Sequence, residues 1–287
     1  MGLDMKKICI LTDCTADLTK ELYEKNNIEV LPLYVTIGGK TYSDGIDITT
    51  EEMYEKVKEF GELPRSSAIP PAIFEEKFKE LLSEYEQIIY MGIGSGFSGT
   101  YNSAFVASHD FPQDKIFVID SKNLSSGIGL LLLKAAKFRD QGLDGATIKA
   151  KIEELVPRIR TQFAIDTLEY LHKGGRCSGT ARIFGTLLKL KPIIRVENGA
   201  MNVAKKPMGK FSRALDIILD YVHHDLENID PEFVMVTHSL SDVAAQYFQD
   251  ELKKMNKFTN IYETFAGGVI STHCGPKTIG ILYILNK

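Results

Sequence analysis

Gln87-Ile88-Ile89-Tyr90-Met91 runs directly into Gly92-Ile93-Gly94-Ser95-Gly96-Phe97-Ser98-Gly99-Thr100-Tyr101-Asn102-Ser103-Ala104, and this passage decides the fold. The apolar run predicts a buried strand, and the residues from about Thr100 predict a helix. Glycines and small hydroxyls crowd the turn between them. Such a turn points backbone N–H groups and serine hydroxyls past the carboxyl end of a strand, where an anionic group can be received.

The same rhythm extends on both sides. Lys6–Leu11 predicts a first strand, ending in the acidic, hydroxyl-rich loop Thr12-Asp13-Cys14-Thr15-Ala16-Asp17. That loop reads equally as a functional loop beyond a strand or as a helix cap by Thr15 or Asp17. Ile28–Ile37 predicts a second strand, with a tight turn at Gly38-Gly39, and Thr49-Thr50-Glu51-Glu52 is a capping box opening a helix to about Phe60. Prolines on both sides of Arg65-Ser66-Ser67-Ala68-Ile69 hold that loop extended. Its two serines then sit on a stiffened backbone or serve only to solvate it. Lys115–Ile119 is a further strand, and Leu130-Leu131-Leu132-Leu133 lies in a helix apolar nearly all round, hence buried on more than one side. Asp144 starts the next helix, which runs to roughly Arg160 with a kink or stop near Pro157.

Alternating strands and helices predict an α/β chain with a mainly parallel, three-layer first domain over residues 1–160. After that the rhythm changes. A helix over Leu168–His172 leads into the basic glycine loop Lys173-Gly174-Gly175-Arg176, and Ser178 starts another helix. Leu190–Glu197 and Ala200–Lys206 form a hairpin on Asn198-Gly199. Two helices and three strands complete a second, mixed-sheet α/β domain over residues 161–287.

The 287 residues, 44% hydrophobic and 25% charged, suit a globular protein with a sizeable core. A net charge of −4 without blocks of like charge excludes nucleic acid as a standing partner. No apolar run reaches the roughly 18–20 residues of a membrane span, so any membrane contact is transient. The N-terminus lacks the order of a secretory signal, and Lys6 stands where a myristoylation site needs Ser or Thr. Met5 reads as an alternative start, opening the first strand. Cys9, Cys14, Cys177 and Cys274 have neither C-x-x-C nor zinc spacing and read as reduced thiols of a cytoplasmic protein.

Gly94–Gly99 is a literal G-x-G-x-x-G between strand and helix, and Asp120 ends the next strand twenty-one residues past Gly99. That nearly meets the dinucleotide fingerprint, so a dinucleotide-binding enzyme is one reading. The position of the motif, far from the opening unit, and its crowd of hydroxyls favour a small head group instead. A hydrolase built on Ser98 and His273 fails because the turn is one position away from G-x-S-x-G. No histidine and carboxylate spacing suggests a metal, and no P-loop is present.

The order of these motifs resembles the DegV family of bacterial fatty-acid-binding proteins from Met5 to the end. Thr12–Asp17 is similar to its D-S-T-A-D, Ser66–Pro70 to its T-S-Q-P-S, and Gly94–Ala104 to its S-S-x-L-S-G-T-Y-Q-S-A. Asp120-Ser121 with Ser125-Ser126-Gly127 matches its D-S-x-x-x-S-x-G. Leu168–Arg176 and Lys191–Ile194 resemble its later signatures, and Thr272-His273-Cys274-Gly275-Pro276 its closing T-H-x-G-P-G. Ser66 replaces a threonine, Ala68-Ile69-Pro70 replaces Q-P-S, and Lys277 stands at the final glycine, placing a positive charge close to His273.

The resemblance implies a non-enzymatic, two-domain carrier of one long-chain fatty acid such as palmitate, with no cofactor or metal. The carboxylate would meet Ser66, Ser98 and His273 between the domains, with Arg176 and Ser95 nearby. Some members present it to a separate ATP-binding fatty acid kinase subunit, for which Arg176 and Lys205-Lys206 would be contact candidates. Burying about fourteen methylenes contributes ~11 kcal/mol before ordering costs. An unpaired carboxylate would cancel several kcal/mol of it, hence the hydroxyls and histidine. Phe74, Phe78, Phe97 and Leu124–Leu133 are either tunnel lining or plain core.

Overall fold

The computed structural model describes residues 6–178 and 190–287. The helix expected from Ser178 and the residues up to Met5 lie outside the described residues. Strand β1 (Lys6–Asp13) stands between β2 (Ile28–Leu31) and β6 (Tyr85–Gly92), with β7 (Ile116–Asp120) beyond β6. All three pairings are parallel. Parallel pairing buries both faces, so Ile88–Met91 lies fully inside.

One expected strand is two. Ile28–Ile37 breaks at Pro32, which cannot donate to a ladder. Its second part, β3 (Tyr34–Ile37), leaves for a small antiparallel sheet between β4 (Lys40–Ser43) and β5 (Arg65–Ser67). Ser66 therefore sits on a strand, opposite Val35.

Helix α1 (Lys20–Lys25) follows β1. Helix α2 (Thr50–Phe60) opens on the full capping box, with Thr49 and Glu52 each bonded to the other's backbone. On one face of the parallel sheet, α3 (Pro71–Leu81) and α4 (Thr100–Ser108) bury Phe74, Phe78, Ala104 and Ala107 against Leu11, Ile88 and Tyr90. The opposite face receives α5 (Ser126–Asp140) and α6 (Gly145–Leu155). A 3-10 turn containing Pro157 ends α6 short of the expected Arg160. The chain then enters β8 (Ile159–Ala164) and, past α7 (Glu169–Gly174), β9 (Cys177–Ser178).

The second sheet has seven strands in the order β13-β12-β14-β8-β10-β11-β9. It adds β10 (Ile193–Glu197), β11 (Ala200–Lys205), β12 (Ile229–Ser239), β13 (Asn260–Phe265) and β14 (Thr278–Leu285). Pairs β12–β13 and β9–β11 are parallel and the others antiparallel, so the sheet is mixed. The expected hairpin forms on Asn198 and Gly199, both at positive φ (52° and 75°).

Strand β14 is buried along its whole length. Ile279, Ile281 and Tyr283 face α8 (Ser212–Asp225) and α9 (Asp242–Lys254), whereas Leu282 and Ile284 face α5. Helix α5 is thus enclosed by both sheets, as its all-round apolar surface predicts. The protein is α/β throughout, a parallel sheet with helices on both faces stacked on a mixed sheet with helices outside.

The segment that carries His273 has no element predicted from its sequence. Gly268–Cys274 is a helix, α10, which packs against β3, β5, α2 and α7. No helix among the described residues is long and apolar enough to cross a membrane. Cys9, Cys14, Cys177 and Cys274 form no disulfide with one another.

Candidate functional site

A cavity of about 140 Å³ lies where the turn after β6 meets the inner face of the mixed sheet. Its wall is mainly apolar, with Ile93, Phe97, Leu124, Leu171, Val269 and Leu282 contributing. Phe97 and Leu124 are thus lining, whereas Phe74, packed on Tyr90 and Phe78, and Phe78 itself lie in plain core. Thr161, Thr237 and His238 add polar groups, each satisfied within the protein. Thr161 donates to Asn123 (2.7 Å), Thr237 shares hydrogen bonds with Ser126 and Thr264, and His238 lies 3.1 Å from Glu263.

The Gly94–Gly99 turn proves to be tied inward. Gly94 N–H donates to the Asn123 carbonyl, Phe97 N–H to the Gly94 carbonyl, and Ser95 N–H to Asp120 Oδ1 (3.0 Å). Gly94 and Gly96 admit protein rather than ligand, whereas Gly99 lines the cavity. A Cβ on Gly94 would lie 2.8 Å from the Asn123 nitrogen, and one on Gly96 would collide with the Gly199 carbonyl oxygen of the β10–β11 hairpin. Asp120 is occupied by Ser95 and the Lys122 N–H. The turn is therefore no open phosphate cradle, and Asp120 is not free for a ribose.

The candidate residues separate accordingly. Ser66, Ser98, Arg176 and His273 line one cavity. Ser95 does not: it is exposed, and its hydroxyl donates to Asp120 Oδ2 (2.6 Å) at the outer side of the turn. Ser98 Oγ accepts the Thr100 N–H (3.2 Å) and lies 3.0 Å from Thr100 Oγ1, so it is tied to the first residue of α4. Either hydroxyl of this pair can donate, and when Thr100 does, the Ser98 proton is left to a ligand. His273 turns to Ser66 rather than Ser98, its Nε2 lying 2.8 Å from Ser66 Oγ.

His273 Nδ1 is buried without a hydrogen-bond partner among the described residues. A Cβ on Gly174 would overlap this nitrogen, so glycine there makes room for the ring. A bare acceptor nitrogen is less costly than a buried unpaired N–H, which assigns the proton to Nε2. Nε2–H then donates to Ser66, and the Ser66 proton is directed to whatever occupies the cavity.

Burial, with the Arg176 guanidinium as second cause, pushes His273 down to about 4 from 6.5. The neutral ring is the folded form. Below about 6.5 the unfolded chain binds a proton that the folded one refuses, so stability falls from there to about 4. We expect wild type to lose up to about 1.4 kcal/mol per pH unit in that window relative to His273→Leu. Parallel denaturation midpoints of the two proteins from pH 7 to 4 would overturn this. Lys277 is exposed and at φ 60°, a conformation glycine adopts freely, and the charge acting on His273 is that of Arg176.

Three buried aspartates brace the site and were only partly legible. Asp13 accepts from Thr15 N–H and Oγ1, from Tyr90 Oη (3.0 Å) and from Ile93 N–H (2.9 Å). Asp17 accepts from Ser125 Oγ (2.5 Å) and from Gly267 N–H (2.9 Å). Asp44 accepts from Gly268 and Val269 N–H (2.7 and 2.8 Å). The acid-rich loop after β1 drew attention to the first two, and no local pattern marks Asp44. Burial raises all three carboxyls above their ordinary range. Among the described residues no group of three or more His, Cys, Asp or Glu side chains could hold a metal ion.

Residues 7–286 match the family described as "Uncharacterised protein, DegV family". A DegV domain-containing protein of Caldanaerobacter subterraneus is 35% identical over 279 residues, covering 97% of this chain and 99% of its own. A solved structure described as fatty acid binding of a DegV family protein from Thermus thermophilus has a TM-score of 0.91 at 29% identity. It covers 97% of this chain and 99% of that one. A stearic acid-binding protein from Eubacterium ventriosum has a TM-score of 0.85 at 26% identity, covering 98% of both chains.

Proposed function

This chain belongs to the DegV family, and from that premise we propose that it binds a single long-chain fatty acid and carries out no chemistry of its own. The observation that carries this reading is an apolar cavity ending on two serine hydroxyls and a neutral histidine. The acyl tail would lie against Phe97, Leu124 and Leu282, where each buried methylene contributes about 0.8 kcal/mol. The carboxylate would accept from Ser66 and Ser98 beside the Arg176 charge. Its two oxygens need such donors once water is excluded. Residues 1–160 and 161–287 would be the two domains flanking the ligand, in a cytoplasmic carrier.

A second, polar cleft shares Ser66, Arg176 and His273 with the cavity. It supports the finer proposal that the carboxylate is presented outward to a separate ATP-binding kinase subunit. Arg65, Lys173 and Arg176 would there face the phosphates.

Denaturing extraction of natively purified protein, followed by mass spectrometry, should release about one acyl chain per protein, and delipidated protein should rebind palmitate. A blank extract together with no palmitate binding would overturn the reading.

A further inference from the structure

Helix α10, which delivers His273, is only seven residues long and carries no capping side chain of its own. Its first turn is gripped by the other half of the molecule. Both oxygens of Asp44 are used, one on Gly268 N–H and the other on Val269 N–H. Asp44 is itself 4% exposed and follows β4, its backbone N–H donating to the Leu33 carbonyl (2.9 Å) just before β3. Ser66 lies on β5, on the other side of β3. One small sheet thus holds both Ser66 and the anchor of the helix that bears its partner.

We propose that Asp44 is a positioning residue for the head-group end of the cavity: by clamping the first turn of α10 to the β4-β3-β5 sheet it fixes His273 Nε2 at hydrogen-bond distance from Ser66 Oγ. The inference rests on the reading of this cavity as a fatty-acid site. His273 lies five residues beyond Gly268, about 7.5 Å along the axis. A bidentate carboxylate on two consecutive N–H groups fixes both the height and the roll of so short a helix. Glycine at 268 belongs to the clamp, because a Cβ there would lie 2.7 Å from Asp44 Oδ1. Asp17 adds a third bond one residue earlier, on Gly267 N–H, and ties it to Ser125 in the cavity wall.

A helix out of register would misdirect the Ser66 proton and leave the apolar wall in place. The expected signature is loss of affinity for the acid alone. The test measures palmitate and hexadecanol competition on delipidated wild type, Asp44→Asn and Gly268→Ala. Each variant should weaken palmitate about tenfold and hexadecanol by less than about twofold. The His273 imidazole nitrogen resonances should shift in both ligand-free variants. Unchanged palmitate affinity in either folded variant, or an equal fall for acid and alcohol, would overturn the proposal. Wild type that binds neither ligand would overturn the fatty-acid reading itself.

Discussion

Gly92→Ala is expected to destabilise the protein by about 3–5 kcal/mol, far more than a methyl group ordinarily does. Gly92 closes β6, and a Cβ there would overlap Asp13 Oδ2. Asp13 is fully buried and accepts from Thr15, Tyr90 and Ile93, so it has nowhere to retreat without leaving these donors unpaired. Each abandoned donor costs about 1–3 kcal/mol in such surroundings. The Ile93 N–H is the first link of the turn, so its loss should also loosen Phe97 in the cavity wall. Urea denaturation checks this, and a loss below about 1 kcal/mol would show that Asp13 is not the keystone described.

His273→Phe is expected to weaken palmitate about thirtyfold or more while the apolar wall keeps its share of the binding. The ring is replaced by one of similar size, which removes the Nε2–H donor and little packing. Ser66 then loses the partner that orients it, and the carboxylate loses a directed proton. Of the two serine donors only Ser98, fixed independently by Thr100, remains aimed. Competition with a fluorescent fatty acid reads the change, and affinity within about threefold of wild type would remove His273 from the site.

How much of this was legible follows from where each cause lies along the chain. The capping box at Thr49 and the hairpin at Asn198-Gly199 are settled by neighbours a few residues apart, and both formed as read. The buried strand and helix around Gly92–Ala104 were equally local. The purpose of the glycines was not, because Gly94 yields to the backbone at Lys122-Asn123 and Gly96 to the carbonyl of Gly199. A phosphate-cradle spelling and a close-packing spelling use the same letters. Helix α10 escaped for a similar reason. Seven residues behind a glycine pair carry too weak a pattern, and the groups that hold them, Asp17 and Asp44, come from the opposite end of the sequence. Ser66, Ser98 and His273 were found through motif order, since nothing in their spacing brings them to one cavity.

Strand β14, last of the strands in sequence, lies between β12 and β8 rather than at an edge. A nascent chain leaving the ribosome therefore has a vacancy in the middle of its mixed sheet until residue 285 has emerged. The parallel sheet closes with β7, at Asp120, and has no such wait. His273 sits a few residues ahead of that strand, so the helix that bears it emerges just before the gap is filled. The histidine end of the cavity is therefore put together with the strand that completes the mixed sheet.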